Sequence, residues 1–193
     1  CFFVIFKGSL LFNLFLLVCF LITSYEWHMM SKKKFYYIFG YIFLIVSFLS
    51  VYSLRNDDNE MSFFLFLFII ITCISTDIGG YIFGKLFKGP KLTNLSPNKT
   101  YSGVIGSYIL SLISIYLLTE NYHLIMNESY QFTPQLFFLI LITSTVSQIG
   151  DIIISFFKRL SKLKDTGKII PGHGGLLDRI DGMLFTFPVL YLI

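Results

Sequence analysis

Charged residues are scarce in this chain, at 13% of its 193 residues, whereas a soluble domain carries roughly a quarter. With 55% hydrophobic residues, the chain lacks the polar surface that would keep it dissolved. Cysteine is scarce too: Cys1, Cys19 and Cys73 lie in or beside apolar stretches without CxxC spacing. This distribution argues against a disulfide framework or a zinc site. No internal repeat or soluble domain is visible, which leaves a single membrane domain.

Long apolar runs predict an all-α, polytopic integral membrane protein. A span needs about 20 apolar residues, and five windows qualify: 8–25, 35–54, 63–83, 104–119 and 136–157. The fourth is short, so we expect it to tilt or to extend at its ends. A sixth window begins at Met183 but reaches only about 16 Å of helix before Ile193. We therefore expect five full transmembrane helices and a truncated sixth, in a domain over 1–193 that is cut at both ends.

Cations are concentrated in alternate connections between the predicted spans. Thirteen of the fifteen lysines and arginines lie in the first, third and fifth connections. They are Lys32, Lys33, Lys34, Lys85, Lys88, Lys91, Lys99, Lys158, Arg159, Lys162, Lys164, Lys168 and Arg179. The positive-inside rule then predicts that these three connections are cytoplasmic. Topology alone explains Lys32 to Lys34 as well as a functional role does.

Two carboxylates lie where lipid is expected, which indicates a function by default because burying a charge in a bilayer is costly. Asp77 ends the third window and Asp151 interrupts the fifth, both toward the predicted cytoplasmic side. A purely structural alternative is an ion pair, for instance between Asp77 and Lys85. Asp151 follows Ser147, Gln148 and Gly150, which is more polarity than one ion pair requires.

The third and fifth connections carry groups that suit phosphate. Prolines exclude a continuous helix through the third connection, where Ser96-Pro97-Asn98-Lys99-Thr100 offers hydroxyls, an amide and an ammonium. In the fifth, Gly172-His173-Gly174-Gly175 can bring backbone N–H groups close to an anion.

Acidic residues in the fifth connection suit a divalent metal. Asp178 and Asp181 would share a helix face, and near Asp151 they would repel one another unless a cation lay between them. Mg²⁺ is the natural candidate, since it takes oxygen ligands from carboxylates, water and phosphates.

These segments, at 76–103 and 155–182, resemble the motifs of phosphatidate cytidylyltransferases, also called CDP-diacylglycerol synthases. The similar positions in the second are Ser155-x-x-Lys158-Arg159, Lys164-Asp165, Gly167, Pro171-x-His173-Gly174-Gly175 and Asp178-Arg179-x-Asp181. Upstream, Asp77-x-Gly79-x-Tyr81 and Ser96-Pro97-Asn98-Lys99-Thr100 look like two further family motifs. Two positions depart: Ser102 stands where the family commonly has Glu, and Gly80 stands where Ala is usual.

The resemblance implies a Mg²⁺-dependent nucleotidyltransferase of phospholipid biosynthesis that converts CTP and phosphatidate to CDP-diacylglycerol and pyrophosphate. The predicted catalytic residues are Asp151, Lys164, Asp178 and Asp181. The predicted metal ligands are Asp151, Asp178 and Asp181, with Asp77 a weaker candidate. The predicted substrate-binding residues are Ser96, Asn98, Lys99, Thr100, Lys158, Arg159, His173, Gly174, Gly175 and Arg179.

The resemblance also implies a multi-pass protein of a bacterial-type inner membrane or an organellar membrane, with its site facing the cytoplasm. It suggests a homodimer, and no nucleic-acid partner is expected. Three other functions fit less well. A lipid-alcohol kinase would need a base such as His173 or Asp165. A CDP-alcohol phosphatidyltransferase would need a larger aspartate array than Asp178 to Gly182 provides. A transporter would have little use for a glycine-rich basic loop.

Overall fold

A computed structural model describes residues 9–32, 34–93, 96, 99–126, 130–167 and 174–193. Its helices are α1 (Ser9–Ser31), α2 (Tyr37–Asn56), α3 (Glu60–Phe87), α4 (Tyr101–Asn121), α5 (His123–Met126), α6 (Pro134–Leu160) and α7 (Leu177–Tyr191). Within these ranges the only β-type pairing is an isolated bridge between Lys91 and Thr100. The all-α prediction is confirmed.

Five helices, α1 to α4 and α6, are long and apolar enough to cross a membrane, which confirms the five predicted spans. Four of these helices are longer than their apolar windows because polar residues continue the helix at its ends, while α2 has the length of its window, shifted by two residues. The fourth window extends to the 21 residues of α4, about 32 Å of helix for a hydrocarbon core of about 30 Å. Helix α7 has 15 residues and is not among the candidate spans. The chain is a multi-pass membrane protein.

Polar side chains set the starts of three spans. Asn59 accepts a hydrogen bond from the N–H of Met61 at the start of α3. Thr100 and Thr133 do the same for the third helical N–H of α4 and α6. Pro134 follows Thr133 at the first helical position, where the missing N–H costs nothing. Short polar connections therefore end one span and begin the next.

Helix α3 lies at the centre of the bundle and packs against α2, α4, α6 and α7. Its Phe66, Phe68 and Ile69 side chains are fully buried. The approach of α4 is close because glycines face each other: a Cβ on Gly79 would lie 2.4 Å from the carbonyl oxygen of Gly106. Small residues at such contacts let backbones pack tightly in a membrane, where the hydrophobic effect between helices is weak.

The first, third and fifth connections lie at the same end of the bundle. Tyr36 in the first connection hydrogen-bonds through its hydroxyl to Ser161 in the fifth, at 2.8 Å. Lys99 in the third reaches Asp151 near the end of α6, also within hydrogen-bonding distance. The grouping predicted from the charges is therefore present, while the side of the membrane that this end faces stays a prediction.

Candidate functional site

A polar cavity of about 250 Å³ opens between α3, α4 and α6 at this end of the bundle. It is lined by Thr76, Asp77, Gly80, Tyr81, Ser96, Lys99, Thr100, Gly103, Val104, Ser107, Gln148 and Asp151. Five of the predicted site residues are among them, from three separate segments of the chain. The structure thus brings together the two intramembrane aspartates and the basic third connection.

Lys99 and Asp151 form an ion pair across the cavity. The Lys99 Nζ donates to Asp151 Oδ2 at 2.7 Å, and the two side chains are 26% and 18% exposed. Lys99 also donates to the carbonyl oxygen of Gln148 at 3.4 Å. The other carboxylate oxygen, Asp151 Oδ1, is buried and has no hydrogen-bond donor among the residues that the structure describes. A buried acceptor without a donor is costly, so this oxygen is poised for a further ligand.

Three carboxylates interact electrostatically here: Asp77 and Asp151, which line the cavity, and Asp181, which is not among its lining residues. Asp151 lies close to Asp181 of α7 and to Asp77 of α3. Asp181 is 9% exposed and accepts from the N–H of Gly182 at 3.0 Å. Like charges held together in this way favour a bound cation. The predicted metal set was Asp151, Asp178 and Asp181, with Asp77 a weaker candidate. The electrostatic contacts link Asp151 to Asp181 and Asp77, and the metal role of each stays a prediction.

Gly182 lies beside Asp151 Oδ1, at a position where a side chain would not fit. A Cβ at this position would lie 2.3 Å from Ser147 Oγ and 3.2 Å from Asp151 Oδ1. The missing side chain lets α7 approach α6 closely, and it brings Asp181 next to Asp151. The donor set is therefore oxygen from carboxylates, which suits Mg²⁺ rather than a softer metal.

No three His, Cys, Asp or Glu side chains among the described residues come close enough to form a metal site by themselves. A divalent ion here would take its remaining ligands from water and from substrate phosphate, as Mg²⁺ commonly does. The carboxylates and the unpaired Asp151 Oδ1 fit such an ion. Mg²⁺ dependence itself stays a prediction.

Asp178 has a separate set of contacts. Its Oδ1 accepts from Lys158 Nζ at 2.7 Å, and the two side chains are 8% and 12% exposed. Its Oδ2 accepts from the N–H of Thr166 at 2.8 Å, the Thr166 hydroxyl at 3.0 Å and the N–H of Gly175 at 3.1 Å. Asp178 thus holds the fifth connection against α6. A metal role for Asp178 and a phosphate role for Lys158 stay predictions, and both would require these contacts to be given up.

The surroundings of Asp178 favour its charged form. Burial by itself would raise the pKa of the carboxyl, but the Lys158 ammonium and the N–H groups of Thr166 and Gly175 outweigh burial. They hold the pKa of Asp178 below its ordinary value. Asp178 is therefore a carboxylate at neutral pH, bound to four donors of its own chain.

The other predicted residues of the fifth connection are mostly open to solvent. Arg159, Lys164 and Arg179 are exposed, which suits contact with an incoming phosphate. Gly174 has φ +85°, where a side chain would be strained. Asn98 and His173 lie outside the described residues, so their predicted roles stay predictions.

The structural alternative for Asp77 is not realised in the described residues. Lys85, the proposed partner, lies on the ring of Tyr81, with its Nζ 5.6 Å from the ring centroid. Asp77 faces the cavity instead and is exposed there. Ser102, where the family motif commonly has Glu, donates to the carbonyl oxygen of Lys88 and closes the third connection.

One buried carboxylate escaped sequence reasoning. Glu26 of α1 is 1% exposed and accepts hydrogen bonds from the N–H groups of Leu176 and Leu177. The Thr166 hydroxyl, whose single proton is shared with Asp178, lies 3.2 Å from Glu26 Oε2. The apolar window 8–25 ends one residue before Glu26, so Glu26 was interpreted as the polar end of the first span. The signal available was a lone acid at the end of a span whose other flanking charges are lysines.

Comparison with known proteins agrees with the motifs. A model of the cytidylyltransferase family matches residues 32–193. The phosphatidate cytidylyltransferase of Rickettsia typhi is 36% identical over 172 residues, which cover 86% of this chain and 73% of the relative. The enzyme of that name from Rickettsia prowazekii is 36% identical over 174 residues, covering 87% and 74%. That from Staphylococcus saprophyticus is 35% identical over 184 residues, covering 90% and 65%.

Proposed function

Because this chain belongs to the cytidylyltransferase family, we propose that it transfers a cytidylyl group from CTP to phosphatidate. The products are CDP-diacylglycerol and pyrophosphate, which makes the chain a nucleotidyltransferase. The names of its relatives support this reaction. The observation that supports the proposal is the cavity at one end of the spans, where Lys99 meets Asp77 of α3 and Asp151 of α6, with Asp181 of α7 interacting with both aspartates.

The chemistry needs little from a general base. A phosphate monoester has its second pKa near 6, so phosphatidate is largely a dianion at neutral pH and is already nucleophilic. One of its oxygens forms a bond to the α-phosphorus of CTP, and the bond from that phosphorus to the bridging oxygen breaks to release pyrophosphate. The protein must bring two polyanions together, align them and offset their charge.

The residues of the cavity suit one of the two anions. Lys99 supplies the positive charge, and the hydroxyl of Ser96 lies on the same lining. Thr100 has its hydroxyl at the start of α4, where the helix dipole also favours an anion. The exposed cations of the fifth connection, Arg159 and Lys164, would meet the other anion.

Mg²⁺ is the proposed cofactor. Asp151 and Asp181 would hold it, with Asp77 close by. When bound, it would neutralise phosphate charge and polarise the α-phosphate. Before substrate arrives, the ion pair with Lys99 fixes the position of Asp151, and the close helix contact at Gly182 fixes Asp181 beside it.

The proposed site faces the cytoplasm at the inner leaflet. The diacylglycerol tails can then stay in lipid while the headgroup meets CTP from water. A homodimer is proposed from family resemblance alone, and each chain contains the full cavity within its own described residues.

The test is a turnover assay with the chain in phospholipid vesicles that contain phosphatidate. With CTP labelled at the α-phosphate and Mg²⁺ present, we expect labelled lipid and unlabelled pyrophosphate. Chelation by EDTA should stop the reaction, and added Mg²⁺ should restore it. CTP labelled at the γ-phosphate should leave the lipid unlabelled. Transfer of the γ-label to a lipid alcohol would instead identify a kinase, and no labelled lipid under any condition would refute the proposal.

A further inference from the structure

Glu26 is an ionisable group inside the first span, close to its end at Ser31. Its side chain is almost completely buried, at 1% exposure. Such a group is costly unless it is hydrogen-bonded. The proposed reaction makes no direct use of it, and α1 contributes no side chain to the cavity.

Among the residues that the structure describes, the partners of Glu26 belong to the start of α7 and the connection before it. Leu176 N–H donates to Oε1 at 2.9 Å, Leu177 N–H donates to Oε2 at 2.7 Å, and the Thr166 hydroxyl lies 3.2 Å from Oε2. The first N–H groups of a helix lack partners within the helix. Leu176, the residue at the N-cap of α7, has no side-chain acceptor of its own. Glu26 therefore caps α7 from another helix, where the helix dipole favours negative charge.

Two glycines of the fifth connection leave room for this carboxylate. A Cβ on Gly167 would lie 2.6 Å from Glu26 Oε1, and a Cβ on Gly175 would lie 2.7 Å from both Glu26 oxygens. The connection is thus shaped around Glu26 from both sides. Gly175, predicted from the motif as a point of nucleotide approach, has a second reason to be glycine.

The same contacts bear on the proposed catalytic carboxylates. Asp181 lies one helical turn after Leu177, so the position of the first turn of α7 sets where Asp181 lies relative to Asp151. Thr166 lies between Glu26 and Asp178, which in turn holds Lys158 of α6. We infer that Glu26 is a positioning residue, whose buried carboxylate holds the fifth connection and α7 so that Asp181 meets Asp151. This inference rests on the proposed function for its effect on turnover.

The test uses Glu26→Gln in the full chain, with Glu120→Gln as the matched control. Glutamine keeps the shape but presents an amide N–H₂ to backbone donors, whereas Glu120 is exposed at the other end of the bundle. Hydrogen exchange should quicken at least about tenfold at Leu176 and Leu177, whose amides donate to Glu26, since each bond to a charged acceptor contributes that much. Peptides from α3 should exchange as in the wild type.

Kinetics separate positioning from simple stabilisation. Because a misplacement of about 1 Å can cost a factor of about 100, we expect kcat to fall roughly 10- to 100-fold. The KM for CTP should change less than about threefold, since the exposed cations are untouched. Gly167→Ala places a methyl group against the same carboxylate and should also quicken exchange and lower kcat. This second variant tests the inference if Glu26→Gln does not fold.

Unchanged exchange in both variants would overturn the inference, and so would faster exchange with wild-type kcat. Failure of the wild type to make CDP-lipid would refute the proposed function instead. The exchange measurement would still decide whether Glu26 holds the connection.

Discussion

Asp178 and Asp181 are three residues apart in one motif, yet the structure predicts opposite consequences when each is changed to asparagine. Asp178 has a buried ion pair with Lys158 and accepts three further hydrogen bonds from the fifth connection. Removing one partner of a buried pair costs about 3–5 kcal/mol because the other charge is left without compensation. An asparagine oxygen can still accept from Thr166 and Gly175. We therefore expect the lower end, about 3 kcal/mol, for the loss in free energy of unfolding.

Asp181→Asn removes one carboxyl group from the buried cluster with Asp151 and Asp77, where burial and the neighbouring carboxylates disfavour a charge. Its free energy of unfolding should equal or exceed that of the wild type. Its Mg²⁺-dependent turnover should be abolished, because Asp181 is a proposed metal ligand. The two variants thus separate a residue that holds the fold from one that serves the reaction.

The single tryptophan of the chain provides the assay. Trp27 packs against Tyr36 and Phe157 at the same end of the bundle, with ring centroids 5.9 Å and 5.5 Å away. Its fluorescence during denaturant titration in micelles would report unfolding there. Asp58→Asn, at an exposed carboxylate of the second connection, is the control.

The double variant of Lys158→Met with Asp178→Asn sharpens the comparison. It should recover part of the stability lost by Asp178→Asn, because no unpaired buried charge remains. Wild-type stability of Asp178→Asn, or an equal loss in Asp181→Asn, would refute the assignment of the two aspartates.

Lys99→Met leaves Asp151 without its cation and should lower turnover about 100-fold, measured as CDP-lipid formed. Lys85→Met, which removes only a contact with a tyrosine ring, should stay near wild type, and equal losses would contradict the role of Lys99. Lys32→Ala, at an exposed site in the first connection, should change turnover less than about twofold; a large loss would bring that connection into the reaction. The depressed pKa of Asp178 means that its stabilising effect is present above the ordinary pKa of about 3.9. The effect should be lost as pH falls through the lower folded pKa, and Asp178→Asn should lack this acid-dependent loss in the Trp27 assay.

Much of the fold was predictable because the signals are local. A run of apolar residues long enough to cross a bilayer predicts a span wherever it occurs, and the five windows correspond to α1 to α4 and α6. The residues at which the helices begin and end were less predictable. The helices continue into polar residues until a cap such as Thr100 or a proline stops them, which is why α4 is longer than its window.

The candidate site was predictable in part. Asp77, Lys99 and Asp151 stood out because polar groups are costly among apolar residues, and they line one cavity. Asp178 and Asp181, expected to share a face, are both absent from the lining of that cavity: Asp178 pairs with Lys158, and Asp181 interacts with Asp151. The spacing of two residues along a helix predicts that they share a face, but it does not predict which neighbouring group each side chain will contact.

The amino-acid sequence alone determined the membrane location, the helices and the chemical types gathered at one end, because hydrophobicity and charge act residue by residue. Tertiary packing decided which charges meet. Lys158 neutralises Asp178, Asp181 joins Asp151 where Gly182 lets two helices touch, and Glu26 reaches across from α1 to cap α7. Such pairings depend on distances between helices remote in sequence, and a carboxylate takes its role from the donor that packing brings to it.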